Sequence, residues 1–244
     1  MDIPERIAKK LSRAGVASRR KSEELIRSGK VSINTNTVLD PSVKVRASDE
    51  IKVFGKAIRR VEPTRVWRYF KPTGLVTTDS DESGRETIFD KLPKELPRLM
   101  SIGRLDISSE GLLLLTNDGT LKRKLELPST GLLRKYRVRA RGIHCEKSLD
   151  RLRKGMIIAK ESFRPMSISV DTGQGANRWY TVGLTEGRNR EIRRTFTEIN
   201  LQVNRLIRIS FGPFQLANLS TGEIREVDPI SLKKNLDSIV KSKK

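Results

Sequence analysis

The sequence predicts an α+β protein in two parts. A small N-terminal module sets two helices on a strand hairpin, and a larger domain follows, built on a mixed, mainly antiparallel sheet with flanking helices. Three observations predict this: two short helical patterns open the chain, a basic stretch with neither period follows them, and beyond it strand patterns outnumber helical ones and often run consecutively. Consecutive strands disfavour a doubly wound parallel sheet.

In ERIAKKLSRA, Ile7, Leu11 and Ala14 fall at helical spacing, and Gly15 is a natural stop. Ser18 suits the N-cap of RRKSEELIRS, which turns Leu25 and Ile26 inward and ends at Gly29. KVSINTNTVLDPSVKV reads as strand, turn and strand, and DEIKVFG as a further short strand. GKAIRRVEPTRV carries Pro63 and no period, as a linker would. Residues 1–60 are therefore taken as the first module, 61–66 as linker, 67–230 as the larger domain and 231–244 as a C-terminal helix and basic tail. In the larger domain strands are expected around 66–70, 99–105, 111–116, 134–141, 166–171, 178–185, 203–210 and 213–217. Helices are expected around 86–92, 119–126, 146–154 and 189–199, with Asp228 and Pro229 opening a last one over ISLKKNLDSIV.

The chain of 244 residues holds 50 Lys+Arg against 29 Asp+Glu, a net charge of +21. Such an excess points to a polyanion, with nucleic acid ahead of acidic lipid. A single cysteine, Cys145, rules out an internal disulfide. With the single His144 it also makes a zinc finger or zinc deaminase a poor reading, so neither metal nor cofactor is expected. No apolar run approaches the length of a membrane span, and MDIPERIAKK lacks the apolar core of a signal peptide, so the expected compartment is the cytoplasm.

Nine Lys/Arg against two acids lie between Arg6 and Lys30, a density suited to phosphate contacts. RIAKKLSRAGVASRRKSEELIRSGKVSIN resembles the small RNA-binding domain first recognised in a small-subunit ribosomal protein, the S-four type. That resemblance nominates Lys9, Lys10, Arg13, Arg19, Arg20, Lys21 and Lys30 as RNA-docking residues.

Three segments beyond it carry candidate chemistry. In LMSIGRLD a strand of period two puts Arg104 and Asp106 on one side, at the point where the strand gives way to a loop. Asp106 is then half of a strand-end ion pair or a catalytic carboxylate, and the pattern leaves both open. RKYRVRARG alternates Tyr136, Val138 and Ala140 with Lys135, Arg137, Arg139 and Arg141. It is either an edge strand kept soluble by cations, or a strand offering a ring for base stacking and cations for phosphate. In EGRNREIRRTFTEI a helix buries Ile192, Phe196 and Ile199, leaves Arg190 and Arg194 in one exposed row and sets Arg193 at the margin, where Asp106 is the nominated partner.

Taken in order, KPTGL, GRLDISSEGLLLLTNDG, KYRV, EGRNREIRRTF and RLIRISFGPFQL resemble the ribosomal RNA pseudouridine synthases that carry an S-four type domain ahead of the catalytic core. The resemblance implies Asp106 as essential aspartate, Tyr136 as the tyrosine packing on the target base and Arg193 as the basic partner of the aspartate. It further implies that Leu206 closes the pocket and that Arg104 contacts the RNA around the extruded nucleotide; Lys135, Arg137, Arg188 and Arg190 are nominated as further substrate contacts. NREIRR is similar to the branch acting on large-subunit ribosomal RNA, several other branches having His-Gln where this chain has Arg190 and Glu191. Ribosomal RNA, free or in an assembly intermediate, is the implied partner, and the expected state is a monomer. Two other readings stay open: a non-catalytic ribosomal RNA-binding or assembly protein with the same fold, and a synthase acting on tRNA.

Overall fold

The structure, a computed structural model, describes residues 4–174 and 176–241. Most of the basic tail KSKK, residues 242–244, lies outside the described residues. The chain forms two compact units: Met1–Thr64 with Glu95–Leu99 and Asn117–Gly119, and Arg65–Lys94 with Met100–Thr116 and Thr120–Lys244.

In the first unit β1 (Glu5–Arg6) leads into α1 (Ile7–Arg13) and α2 (Arg19–Arg27). The Ser18 hydroxyl caps α2, accepting the Lys21 backbone N–H at 3.2 Å. β2 (Val31–Ile33), β3 (Asn36–Thr37), β5 (Ile51–Val53) and β6 (Lys56–Ala57) form an antiparallel sheet in the order β3-β2-β5-β6, and β4 (Lys44–Val45) pairs with β1. Ile7, Leu11, Ile26, Val31, Val45 and Ile51 form its core.

The second unit is one nine-stranded sheet. Its strands are β7 (Val66–Lys71), β8 (Met100–Ile102), β9 (Glu110–Thr116), β10 (Arg134–Arg141), β13 (Ser167–Gln174), β14 (Asn177–Leu184), β15 (Gln202–Phe211), β16 (Phe214–Gln215) and β17 (Ile224–Glu226). The order is β13-β14-β10-β15-β9-β7-β17, with β8 on β9 and β16 on β15. Every pairing is antiparallel except β15 with β9. The helices are α3 (Gly119–Glu126), α4 (Glu146–Lys154), α5 (Glu191–Glu198) and α6 (Pro229–Lys241); β11 (Met156–Ile158) and β12 (Glu161–Phe163) make a separate hairpin.

Strand β9 is buried from end to end, which is why EGLLLLT reads as a continuous apolar run and not as an alternation. Leu112 and Leu114 join Val66, Ile102, Leu125, Phe211 and Leu232 in the principal core. The parallel step from β9 to β15 depends on Gly111 at φ 102°, where a Cβ would lie 2.4 Å from the Arg208 carbonyl oxygen. Only glycine allows the two backbones this close.

Several expected elements differ. The strand expected at 99–105 ends at Ile102 because Gly103 turns at φ 71°, so Arg104 and Asp106 lie in a loop and share no strand face. The helix expected at 86–92 is a single 3-10 turn, Phe89–Lys91. Thr87 is already bridged to Val76, and Pro93 forces Leu92 out of helical geometry. The helix expected at 189–199 begins at Glu191, with Arg190 before it in the left-handed region at φ 50°. The β11–β12 hairpin turns through Ala159 and Lys160 at positive φ, residues that give no turn signal.

Candidate active site

Asp106 sits in the loop between β8 and β9, and six consecutive carbonyl groups of that loop are held. Arg104 O accepts from Arg208 Nη1 at 3.5 Å and Leu105 O from the Thr77 hydroxyl at 3.0 Å. Asp106 O accepts from Lys71 Nζ at 3.2 Å and Ile107 O from the Gly74 N–H at 2.8 Å. Ser108 O accepts from Arg193 Nη2 and Ser109 O from Lys71 Nζ, both at 2.9 Å. The Gly103 N–H meanwhile donates to Glu126 Oε1 at 2.7 Å. A loop pinned at each peptide unit leaves the Asp106 side chain little freedom except its own torsions.

Lys71 is the centre of this clasp. It is fully buried at the end of β7, and its ammonium also reaches Pro72 O at 2.9 Å, so all three donors go to carbonyls. Burial lowers its pKa to about 8, while Asp106 and Glu110 act in the opposite sense.

Asp106 borders a cavity of about 550 Å³ with Gly103, Arg104, Ser109, Glu126, Arg134, Tyr136, Leu184, Arg188, Arg190, Glu191, Ile192, Leu206, Arg208 and Phe211 among its walls. Tyr136 and Leu206 come from the same face of neighbouring strands, Leu206 standing opposite Val138 and Arg208 opposite Tyr136. Arg134 and Arg208 both lie over the Phe211 ring, at 4.8 and 5.4 Å. Arg208 Nε is locked to Leu112 O at 2.7 Å. Desolvation pulls the Arg134 pKa down from its usual range.

The carboxylate's ion-pair partner is Arg190, whose Nη1 is 3.9 Å from Asp106 Oδ2. Arg193, the nominated partner, spends Nη1 on Val203 O at 3.0 Å and Nη2 on Ser108 O, so it braces the backbone of the aspartate loop. It still senses the carboxylate: its pKa is lowered, chiefly by desolvation and then by Arg190, against an opposing pull from Asp106. Arg190 reaches Asp106 because it stands outside the helix. A non-glycine residue in the left-handed region is strained, and strain of this kind clusters at functional sites. Glu191, next in sequence, is buried and accepts the Arg188 N–H at 3.0 Å, fixing the loop that presents Arg190. Burial, together with the neighbouring Glu186 carboxylate, raises its pKa to about 7.

Of the nominated substrate contacts, Arg104, Arg188, Arg190 and Leu206 line the cavity. Lys135 and Arg137 do not: the alternation of β10 points them to the opposite face of the sheet, where Arg137 pairs with Asp171 at 3.0 Å. Of the nominated docking residues, Lys9, Lys10, Arg13 and Arg19 line a groove with Arg6, Lys44 and Arg60, whereas Arg20, Lys21 and Lys30 lie outside it. Among the described residues no cluster of three or more His, Cys, Asp or Glu could hold a metal, and no helix is long and apolar enough to cross a membrane.

Comparison with known proteins bears on the chain as a whole. The RNA pseudouridylate synthase family matches residues 65–198, and the S4 domain matches residues 5–51. An uncharacterized RNA pseudouridine synthase of Rickettsia conorii is 45% identical over 230 residues, covering 94% of this chain and 99% of its own length. The ribosomal large subunit pseudouridine synthase B of Pseudomonas aeruginosa is 41% identical over 233 residues, covering 93% of this chain and 60% of that protein. A crystal structure of a pseudouridylate synthase superposes with a TM-score of 0.64 at 26% identity, over 94% of this chain and 98% of the other.

Proposed function

This chain belongs to the RNA pseudouridylate synthase family and isomerises uridine to pseudouridine in RNA, and we propose that its target is a uridine of large-subunit ribosomal RNA, with Asp106 as the catalytic carboxylate. The clasp of six held carbonyls around Asp106, set beside Tyr136 and Arg190 in one cavity, carries the residue assignment. The ribosomal target is supported by the segment NREIRR and by likeness to large-subunit synthases of several bacteria. On this reading the protein works in the cytoplasm as a monomer, on free ribosomal RNA or an assembly intermediate.

The isomerisation breaks the N1–C1′ bond, turns the uracil and joins C5 to C1′. C5 gives up a proton and N1 regains one, so nothing is oxidised and no group departs. Two carboxylates normally cleave a glycosidic bond, one as acid and one as base or nucleophile. Uracil is a better leaving group than an alkoxide, and a single carboxylate, Asp106, acts as nucleophile or base. The base must first leave its stack at a cost of about a few kcal/mol, offset by stacking on Tyr136 and by the arginines at the cavity mouth. Leu184, Ile192, Leu206 and Phe211 give the cavity apolar walls, which keep water from hydrolysing the broken glycoside.

Asp106→Asn keeps the shape of the site and removes the carboxylate. It should bind large-subunit ribosomal RNA as the wild type does and form no pseudouridine in it, read by chromatography of the digested nucleosides or by carbodiimide derivatisation and primer extension because the product has the mass of uridine; measurable turnover would overturn the assignment.

A further inference from the structure

The sheet face turned away from the cavity carries a second basic surface. On β10 it presents Lys135, Arg137, Arg139 and Arg141, all exposed except the half-buried Arg137. Strand register sets Arg139 between Trp179 of β14 and Arg205 of β15. Two guanidinium groups directly opposite on one sheet face repel each other unless a carboxylate neutralises one of them. Arg205 turns to Glu110 at 2.5 Å, and Arg137 turns to Asp171 while lying 5.2 Å over the Trp179 ring. Among the described residues no acid lies within ion-pair distance of Lys135, Arg139 or Arg141. A half-exposed indole bordered by arginines is a stacking platform with cations at its rim, the composition of a sequence-tolerant nucleic-acid surface.

Three exposed cations without a carboxylate partner, beside a half-exposed ring, share one explanation, a polyanion lying across this face. We infer that Lys135, Arg139 and Arg141 grip the sugar-phosphate backbone of the substrate RNA, with Trp179 as a stacking surface beside them, at a place remote from the target uridine. β10 lies two strands from the sheet edge at β13. On the cavity side those two strands are covered, Tyr180, Val182 and Ile168 being buried and Arg153 of α4 holding Ile168 O, so RNA leaving the cavity passes over this cover before it rounds the edge. The cavity reads the flipped nucleotide, and the far face holds neighbouring RNA that only a long, structured substrate possesses. This inference rests on the ribosomal RNA reading proposed above.

The test compares two substrates: large-subunit ribosomal RNA transcribed in vitro, and a short hairpin bearing the uridine that the wild-type enzyme converts in it. Arg139→Glu/Arg141→Glu should raise KM for the long RNA roughly tenfold, lower the salt slope of binding by about two, and leave kcat unchanged. The same variant should treat the hairpin as the wild type does. Arg139→Gln removes an exposed cation that no carboxylate partners; its Tm should hold while KM for the long RNA still increases. Unchanged kinetics on both substrates, an equal loss on both, or a fall in the Tm of Arg139→Gln would overturn the inference. An effect seen on ribosomal particles but not on naked RNA assigns the face to a ribosomal protein and overturns it too. If the wild type converts no uridine in this RNA, the target proposed above has failed, and filter binding of the long RNA by wild type and variants still decides the fate of this face.

Discussion

Asp106 acquires its setting from residues that touch its backbone more than its side chain. Arg193 exemplifies this, since its hydrogen bonds go to Ser108 O and Val203 O. Arg193→Met should cost roughly 1.5–3 kcal/mol of stability, the range for lost charge-assisted bonds, and should lower kcat with little change in RNA affinity; calorimetry and single-turnover kinetics would check both. Glu191 governs a pH response. Its pKa rises from 4.5 to about 7 on folding, so the folded state holds the extra proton between those values. That contribution to stability is complete below pH 4.5 and is lost as the pH climbs through 7. Glu191→Gln keeps an acceptor for the Arg188 N–H, and should flatten the fall in Tm between pH 4.5 and 7 and exceed the wild type at pH 8. Residue by residue, part of this site was legible beforehand. Period two placed Tyr136 on the buried face of β10. The same rule applied to VWRYFK and RLIRISF would have marked Lys71 and Arg208 as charged residues at inward positions, which an ordinary sheet has no use for. The Asp106–Arg190 pair was hidden, because it depends on a left-handed backbone that helical periodicity cannot register.

At the scale of elements, strand and helix patterns located most of the sheet and α3 to α6, since each buries one apolar face or, for β9, both. The misses have local causes: a proline and a β-bridge cut the 86–92 helix to one turn, and the β11–β12 hairpin turns on residues without turn character. Parallel pairing of β9 with β15 was beyond reach, because partners this remote in sequence leave no local signal. Gly111 is where that pairing is most exposed to mutation. Gly111→Ala puts a Cβ into the Arg208 backbone at a φ that disfavours any side chain, and should cost about 2–4 kcal/mol by denaturant melt. Because Arg208 also holds Arg104 O, the refolded variant should lose activity beyond its loss of stability.

Charge belongs to the whole molecule. The net charge of +21 foretold a polyanionic partner, but its distribution over the S4 domain, the cavity rim and the far sheet face emerged only from the fold. Arg19, Arg20 and Lys21 are exposed on α2 and remote in sequence from the cavity residues. Replacing all three by alanine should lower the salt slope of RNA binding by about two to three and leave turnover at saturating RNA intact, as titration across a salt series would show. The clasp around Asp106 has a last consequence, which concerns time. Its donors range from Lys71 to Arg208, so the loop cannot take its working shape until the strand bearing Arg208 has left the ribosome. The S4 domain is complete long before that, since its core uses only local contacts. During its own synthesis, the protein is therefore able to hold RNA before it is able to modify it.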